Sequence, residues 1–309
     1  MLRSLVVVAL ALLLAASTAQ AQSIGPVGRN MNPPVPEGVE FVRDVVYGRA
    51  GDTDLLLNLA RPKAATGKLP CLVVLHGGGW ANGNRNQHND LVVDAAKRGY
   101  VAVTVEYRLA PKDLFPAQVH DVKAAVRFLR ASADKYGIDP DRIGAVGFSA
   151  GGHLAMMLGT TEKADDLEGD GGNPDRSSKV QAVVSFFGPT DLAAAELRPD
   201  VSTILRNFLG ATLEQKPELY KRASPITYVR PTTAPMLLYQ GTIDALVNYR
   251  QAVRMAEALT KAEVDGRVEL LIGVGHGWGQ PNLKHTIDGT YAFFGEKLNH
   301  REGRPTARP

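Results

Sequence analysis

Gly147-Phe148-Ser149-Ala150-Gly151 sets a serine between glycines, where an apolar run ends and a helical pattern begins. A strand-to-helix turn tight enough to expose a serine hydroxyl leaves no room for side chains two positions to either side. It also holds the serine in a strained backbone state, so this is the sequence context of a nucleophile elbow. About 70 residues upstream, His76-Gly77-Gly78-Gly79-Trp80 directly follows another apolar run, Leu72 to Leu75. Consecutive glycines leave backbone N–H groups uncovered and able to point at an oxyanion developing on a substrate carbonyl, and the amide of Ala150 after the serine would complete the hole. A phosphate cradle uses glycines in a similar way, but neither a Lys-Ser/Thr pair nor a G-x-G-x-x-G spacing accompanies these. The two segments together point to acyl transfer through a serine nucleophile.

Such a serine needs a base, and the chain has seven histidines. His153 falls four residues into the helix behind Ser149, on the wrong side of the elbow, and reads as a packing or hydrogen-bonding residue. His76 belongs to the glycine loop and would hold its shape. His88, His120, His285 and His300 lie on helical or terminal stretches. His276, in Gly275-His276-Gly277 just past a late apolar run, is the one placed to reach over a sheet edge as general base. Two aspartates follow apolar runs and precede it. Asp244, in Gln240-Gly241-Thr242-Ile243-Asp244, follows the run next before that of His276 and gives the order Ser, Asp, His, which favours it as the orienting acid. Asp191, in Gly188-Pro189-Thr190-Asp191, is the alternative and otherwise reads as a cap for the segment after it.

Asp166, Glu168, Asp170 and Gly171 fall at the first, third, fifth and sixth positions of an EF-hand-like series, but the twelfth is Ser177, which has no bidentate carboxylate. No H-E-x-x-H or Cys/His cluster occurs elsewhere, so neither a metal nor a cofactor is expected. Trp80, Phe148, Phe187 and Leu246 flank the motif positions and either wall an acyl pocket or belong to the core.

The elements that must position these residues alternate along the chain. Short apolar, β-branched runs recur at Pro70 to Leu75, Tyr100 to Val105, Ile143 to Phe148, Val180 to Phe187, Met236 to Tyr239 and Val268 to Ile272. Between them, Asn89 to Arg98, Gln118 to Lys135, Ala150 to Thr160, Tyr249 to Lys261 and Asn282 to Lys297 place apolar residues three or four apart, as helices covering a sheet do. The pattern predicts a doubly wound α/β fold with a mostly parallel sheet. Phe41 to Tyr47 and Asp54 to Leu59 predict an antiparallel edge hairpin around Gly51-Asp52. Glu162 to Ser178 reads as a solvated loop. Asp191 to Tyr228 reads as a small cap insertion over the carboxyl edge of the sheet, where open α/β folds place ligands.

The remaining features bound the setting. One positive charge, an apolar run from Leu5 to Ala16, and Ala19-Gln20-Ala21 predict a signal peptide over residues 1–21 and export to periplasm or medium; the run is too short for a membrane anchor. Residues 22–40 would be an extended leader, 41–299 the folded domain and 300–309 a tail. About 285 residues suit a single α/β domain. Losing Arg3 with the leader lowers the formal charge from +3 to +2, and the basic residues form no cluster, so nucleic acid is not an expected partner. Cys71 is the only cysteine; no internal disulfide can form, and its apolar neighbours predict a buried thiol.

With these segments in hand, the sequence resembles the esterase/lipase branch of the α/β-hydrolase superfamily, related to hormone-sensitive lipase and to bacterial BD-FAE-like carbohydrate esterases. The resemblance runs from about Phe41 to Lys297. Besides the two glycine motifs it rests on Tyr107-Arg108-Leu109-Ala110-Pro111, Phe115-Pro116-Ala117, Asp121, Gly152-His153-Leu154-Ala155, Phe187-Gly188-Pro189-Thr190-Asp191, Gly241 to Val247 and Gly275-His276-Gly277. It implies the α/β-hydrolase fold, with Gly78, Gly79 and Ala150 donating to the oxyanion. It also implies hydrolysis of short acyl esters, with acetyl and feruloyl esters of plant polysaccharides among the family's substrates. The long N-terminal cap helices of the hormone-sensitive-lipase group have no room here, which argues against large lipid substrates. A prolyl-oligopeptidase-like peptidase and a non-catalytic binding protein of the same fold are the rival readings; the esterase-type glycine loop disfavours the first and the intact set of catalytic residue types the second.

Overall fold

The computed structural model describes residues 31–194 and 199–299; the expected signal peptide (1–21) and tail (300–309) lie outside the described residues. Among these, the strands β1 (Val39–Ala50), β2 (Thr53–Pro62), β3 (Leu69–Leu75), β4 (Val101–Val105), β5 (Ile138–Phe148), β6 (Ala182–Phe186), β7 (Met236–Gly241) and β8 (Gly266–Leu271) form one sheet, ordered β1-β2-β4-β3-β5-β6-β7-β8. The pairs from β4 through β3 to β8 are parallel, and β1 and β2 are antiparallel. This is the α/β-hydrolase fold. The expected hairpin is present: Ala50 pairs with Thr53, and Gly51 turns the chain at φ 57°.

Successive side chains of a strand point to opposite faces, so a strand apolar throughout needs cover on both sides. In β3, Cys71, Val73 and Leu75 join one buried cluster while Leu72 and Val74 join the other. The helices divide accordingly. Side chains of α1 (Asn89–Lys97) enter the second cluster, whereas α2 (Ala117–Ala131), α3 (Ala133–Tyr136) and α4 (Ala150–Thr160) feed the first. Past β6, α5 (Pro199–Leu209) and α6 (Pro217–Arg222) add to the first cluster. Beyond β7, α7 (Arg250–Lys261) also joins the first cluster and α8 (Asn282–Asn299) the second. Cys71 is fully buried, and burial pushes its thiol up to about 12, far from reactivity near neutral pH. Among the described residues no helix is long and apolar enough to cross a membrane.

The structure corrects the sequence reading in three places. The helix expected over Gln118 to Lys135 is two, α2 and α3, and Gly137 closes the second at φ 70°. Strand β5 begins at Ile138, upstream of its apolar run, because Ile138 pairs with Leu69 across an irregular stretch of polar residues. The Glu162 to Ser178 segment is no freely solvated loop. Glu168 accepts from Lys123 Nζ and Ser178 Oγ, both at 2.7 Å, and from Arg127 Nη1 at 2.8 Å, while Arg127 Nε donates to Gly172 O at 2.9 Å. Lys123 and Arg127 are buried on α2, and the buried cations pin the loop. The Glu168 carboxylate is thus committed to side-chain cations.

Candidate active site

Ser149 stands between β5 and α4 at φ 54° and ψ −119°, a conformation costly for a residue with a Cβ. Its surroundings enforce that conformation. A Cβ on Gly147 would run into the Gly151 carbonyl, and one on Gly151 into the Leu75 carbonyl, so only glycine fits at either place. The Ser149 amide donates to Phe186 O at 2.8 Å, fastening the turn to the end of β6.

His276 and Asp244 arrive on the loops after β8 and β7, which are neighbours in the sheet. The loops are tied together: Ile243 N donates to Val274 O at 3.1 Å, and Gly273 N to Thr242 Oγ1 at 2.9 Å. Ser149 Oγ lies 3.0 Å from His276 Nε2, and His276 Nδ1 lies 2.8 Å from Asp244 Oδ2. The Asp244 side chain is wholly buried. Its Oδ1 accepts from the amides of Leu246 and Val247, both at 2.8 Å, and its Oδ2 also accepts from Gln240 Nε2 at 2.9 Å. A carboxylate can only accept, so Nδ1 carries the imidazole hydrogen and Nε2 presents its lone pair to the serine hydroxyl. The other candidate, Asp191, turns its carboxylate to the amide of Ala193 at 3.1 Å.

In the loop after β3, Gly78 and Gly79 have φ of 119° and 60°, values that suit glycine. A Cβ on Gly77 would come within 2.8 Å of Phe148 O, so the loop lies against the elbow. Among the described residues none accepts from the amides of Gly78 or Gly79. The amide of Ala150, at the first position of α4, has no partner within its own helix. The three expected oxyanion donors therefore border one space beside Ser149. His76 stacks on Tyr107 with ring centroids 4.2 Å apart, and Tyr107 Oη donates to His76 O at 2.8 Å, which fixes the start of the loop. Burial drives His76 down to about 4, so it is a neutral structural group.

These groups open on a cleft of about 530 Å³, a volume typical of small-molecule sites. Trp80, Phe148, Phe187 and Leu246 all border it. The alternatives of pocket wall and core merge for the first three, which are buried residues, 3%, 4% and 3% exposed, that also line the cleft. The Phe187 ring also backs the His276 imidazole, centroids 4.6 Å apart. Two contributions escaped the sequence reading. Gln240, which braces Asp244, sits among apolar residues at the end of β7 with nothing local to mark it. Val201, Ile204 and Leu205 of α5 wall the cleft from the cap, and their spacing, continued by Phe208, is that of one helical face and was legible in principle.

Known proteins resemble this chain in sequence and in fold. The BD-FAE family model matches residues 57–259. Esterase LipC of Mycobacterium tuberculosis is 34% identical over 245 residues, covering 76% of this chain and 59% of its own length. The chain spans about half the length of the curated relatives it matches. Among solved structures, the propionate-bound esterase Est2 of Thermogutta terrifontis superposes with a TM-score of 0.72 at 29% identity, over 87% of this chain and 98% of that one. An acetyl ester-xyloside bifunctional hydrolase from Caldicellulosiruptor lactoaceticus gives 0.72 at 25% identity, over 85% and 97%. With a family model covering most of the chain and both motif glycine loops inside the matched span, the chain belongs to the BD-FAE family.

Proposed function

We propose that the protein is a serine carboxylesterase acting on short acyl esters, with Ser149 as nucleophile, His276 as general base and Asp244 as its orienting acid. The observation that carries the reading is the pair of contacts running from Ser149 Oγ through His276 to a buried Asp244, at 3.0 and 2.8 Å. His276 Nε2 takes the hydroxyl proton as Ser149 attacks the ester carbonyl, and Asp244 stabilises the imidazolium so formed. Gly78, Gly79 and Ala150 offer their amides to the oxyanion. His276 then returns the proton to the leaving alcohol, an acyl group stays on Ser149, and water activated by the same histidine releases it. No step requires a metal or cofactor.

Acetyl and feruloyl esters of plant polysaccharides are the natural candidates, since one structural relative is an acetyl ester-xyloside hydrolase and another binds propionate. The apolar side chains of α5 and Trp80 border the cleft beside the serine, and we expect them to favour small acyl groups. Each added methylene contributes up to about 0.8 kcal/mol when it finds apolar cover, and steric exclusion reverses that trend when it does not. For p-nitrophenyl esters kcat/KM is expected to fall from acetyl and butyryl to decanoyl; a maximum at ten carbons or beyond would mean a lipase-like pocket. Ser149→Ala should abolish turnover while leaving the fold intact, and residual activity above a few per cent would remove Ser149 from its role. Export follows from the residue 1–21 reading and is checked by finding Gln22 at the N-terminus of the mature protein.

A further inference from the structure

Helix α4 carries a histidine one turn beyond Ser149. His153 donates its amide to Ser149 O at 3.0 Å, and its side chain is fully buried. Both ring nitrogens are engaged. An indole N–H can only donate, so the 3.2 Å contact from Trp80 Nε1 makes His153 Nδ1 the acceptor; Nε2 therefore holds the hydrogen and donates to Ala223 O at 2.7 Å. Burial lowers the imidazole to about 4, which keeps it in the neutral form that satisfies both neighbours.

Trp80 is the residue in need of such a hold. Gly78, Gly79 and Trp80 follow one another at φ 119°, 60° and 57°, and the last is a bulky side chain in a region that glycine prefers. Its ring stacks on Phe208 of α5, centroids 4.2 Å apart and 9° from parallel, and meets His153 edge-on at 5.1 Å. Its carbonyl takes the Ala110 amide at 2.9 Å. His153 thus joins the nucleophile helix to the glycine loop through Trp80, and to the cap through Ala223, just beyond α6.

We infer that His153 is a positioning residue for the oxyanion donors: through Trp80 it fixes Gly78 and Gly79 relative to Ser149 and ties that geometry to the cap. The inference rests on the esterase reading. A packing residue would act on stability alone. A residue that aims donors at the transition state acts on kcat, because an oxyanion is bound only as it forms. Loss of one such donor outright costs on the order of 100- to 1,000-fold, so its displacement should cost about tenfold.

The test is steady-state hydrolysis of p-nitrophenyl acetate, with thermal melting, by the unaltered protein, His153→Leu, His153→Gln, Trp80→Phe and the His153→Leu/Trp80→Phe pair. His153→Leu should lower kcat about tenfold with KM within about twofold, while His153→Gln, which still accepts and donates, should stay within about threefold of the unaltered protein. Trp80→Phe keeps a ring on Phe208 but has no N–H, and should lose about as much as His153→Leu. If one contact carries both effects, the pair should lose no more than either single variant. Should His153→Leu fail to fold, Trp80→Phe decides by itself. Unchanged kcat in a folded variant, or losses that multiply in the pair, would overturn the inference and leave the esterase reading standing. No turnover by the unaltered protein would sink that reading, and this role with it.

Discussion

Two carboxylates in this molecule are each held by several hydrogen bonds, and the difference between their partners is chemical. Glu168 is gripped by two buried cations, Lys123 and Arg127, together with the Ser178 hydroxyl. Asp244 is gripped by two backbone amides, the Gln240 amide and one imidazole nitrogen. Fixed cations neutralise a carboxylate permanently, so Glu168 serves as a rivet between α2 and its loop. Neutral dipoles orient a carboxylate without discharging it, so under the proposed mechanism the charge of Asp244 would stay available for an imidazolium formed on His276. On this reading, the same side-chain chemistry serves structure at Glu168 and is proposed to serve catalysis at Asp244, and the partners that carry charge mark the difference.

The contrast is sharpest when each carboxylate is removed. Asp244→Asn should lower kcat on the order of 10³- to 10⁴-fold with little change in melting temperature, whereas Asp191→Asn should lower it far less. Reversed losses would move the acid to the loop after β6. Glu168→Ala should do the opposite. With two buried cations left uncompensated, stability should fall by about 3 kcal/mol, measured by denaturant unfolding, while kcat of the folded enzyme holds. A loss of turnover without a loss of stability would erase the distinction.

The pH dependence of stability offers a milder probe of the same rivet. Hydrogen bonds from Lys123 and Ser178 and the Arg127 charge outweigh the opposing effect of burial and hold Glu168 below the usual glutamate value of 4.5. Its folded pKa is depressed, so its contribution is fully present above the unfolded value and is lost as pH falls from there through the folded pKa. Glu168→Gln should therefore flatten the fall in stability below about pH 4.5. A curve parallel to that of the unaltered protein would mean the ion pair carries no linkage. The smallest effect belongs to Gln240→Leu. One of four hydrogen bonds to Asp244 is lost, about 1 kcal/mol, and kcat should fall about fivefold with KM unchanged.

The site was far more legible in the sequence than the rivet, for a reason of distance along the chain. Ser149 and the glycines around it announce themselves because a strained turn excludes other residues locally, and His276 because it stands alone in a glycine-flanked loop. Choosing Asp244 over Asp191 required only the inference that its strand adjoins the one delivering His276, which the pairing of β7 with β8 supplies. Glu168 gave no such sign. Its partners lie 45 and 41 residues upstream on α2, and a loop rich in Asp, Gly and Ser looks solvated when those cations are out of view. Gln240 was hidden for a related reason: a polar residue at a strand end explains itself only when Asp244, four residues on, folds back to meet it. His153 was read as a packing or hydrogen-bonding residue, and its contact with Trp80, 73 residues earlier, became visible only in three dimensions.

The central claim is that Ser149 is a nucleophile activated by His276, and covalent trapping addresses it most directly. A fluorophosphonate probe incubated with the folded protein, followed by peptide mass mapping, should place a single adduct on the peptide bearing Ser149, with labelling slowed in Asp244→Asn and absent in Ser149→Ala. No adduct on the native protein, or an adduct on a different residue, would contradict the account.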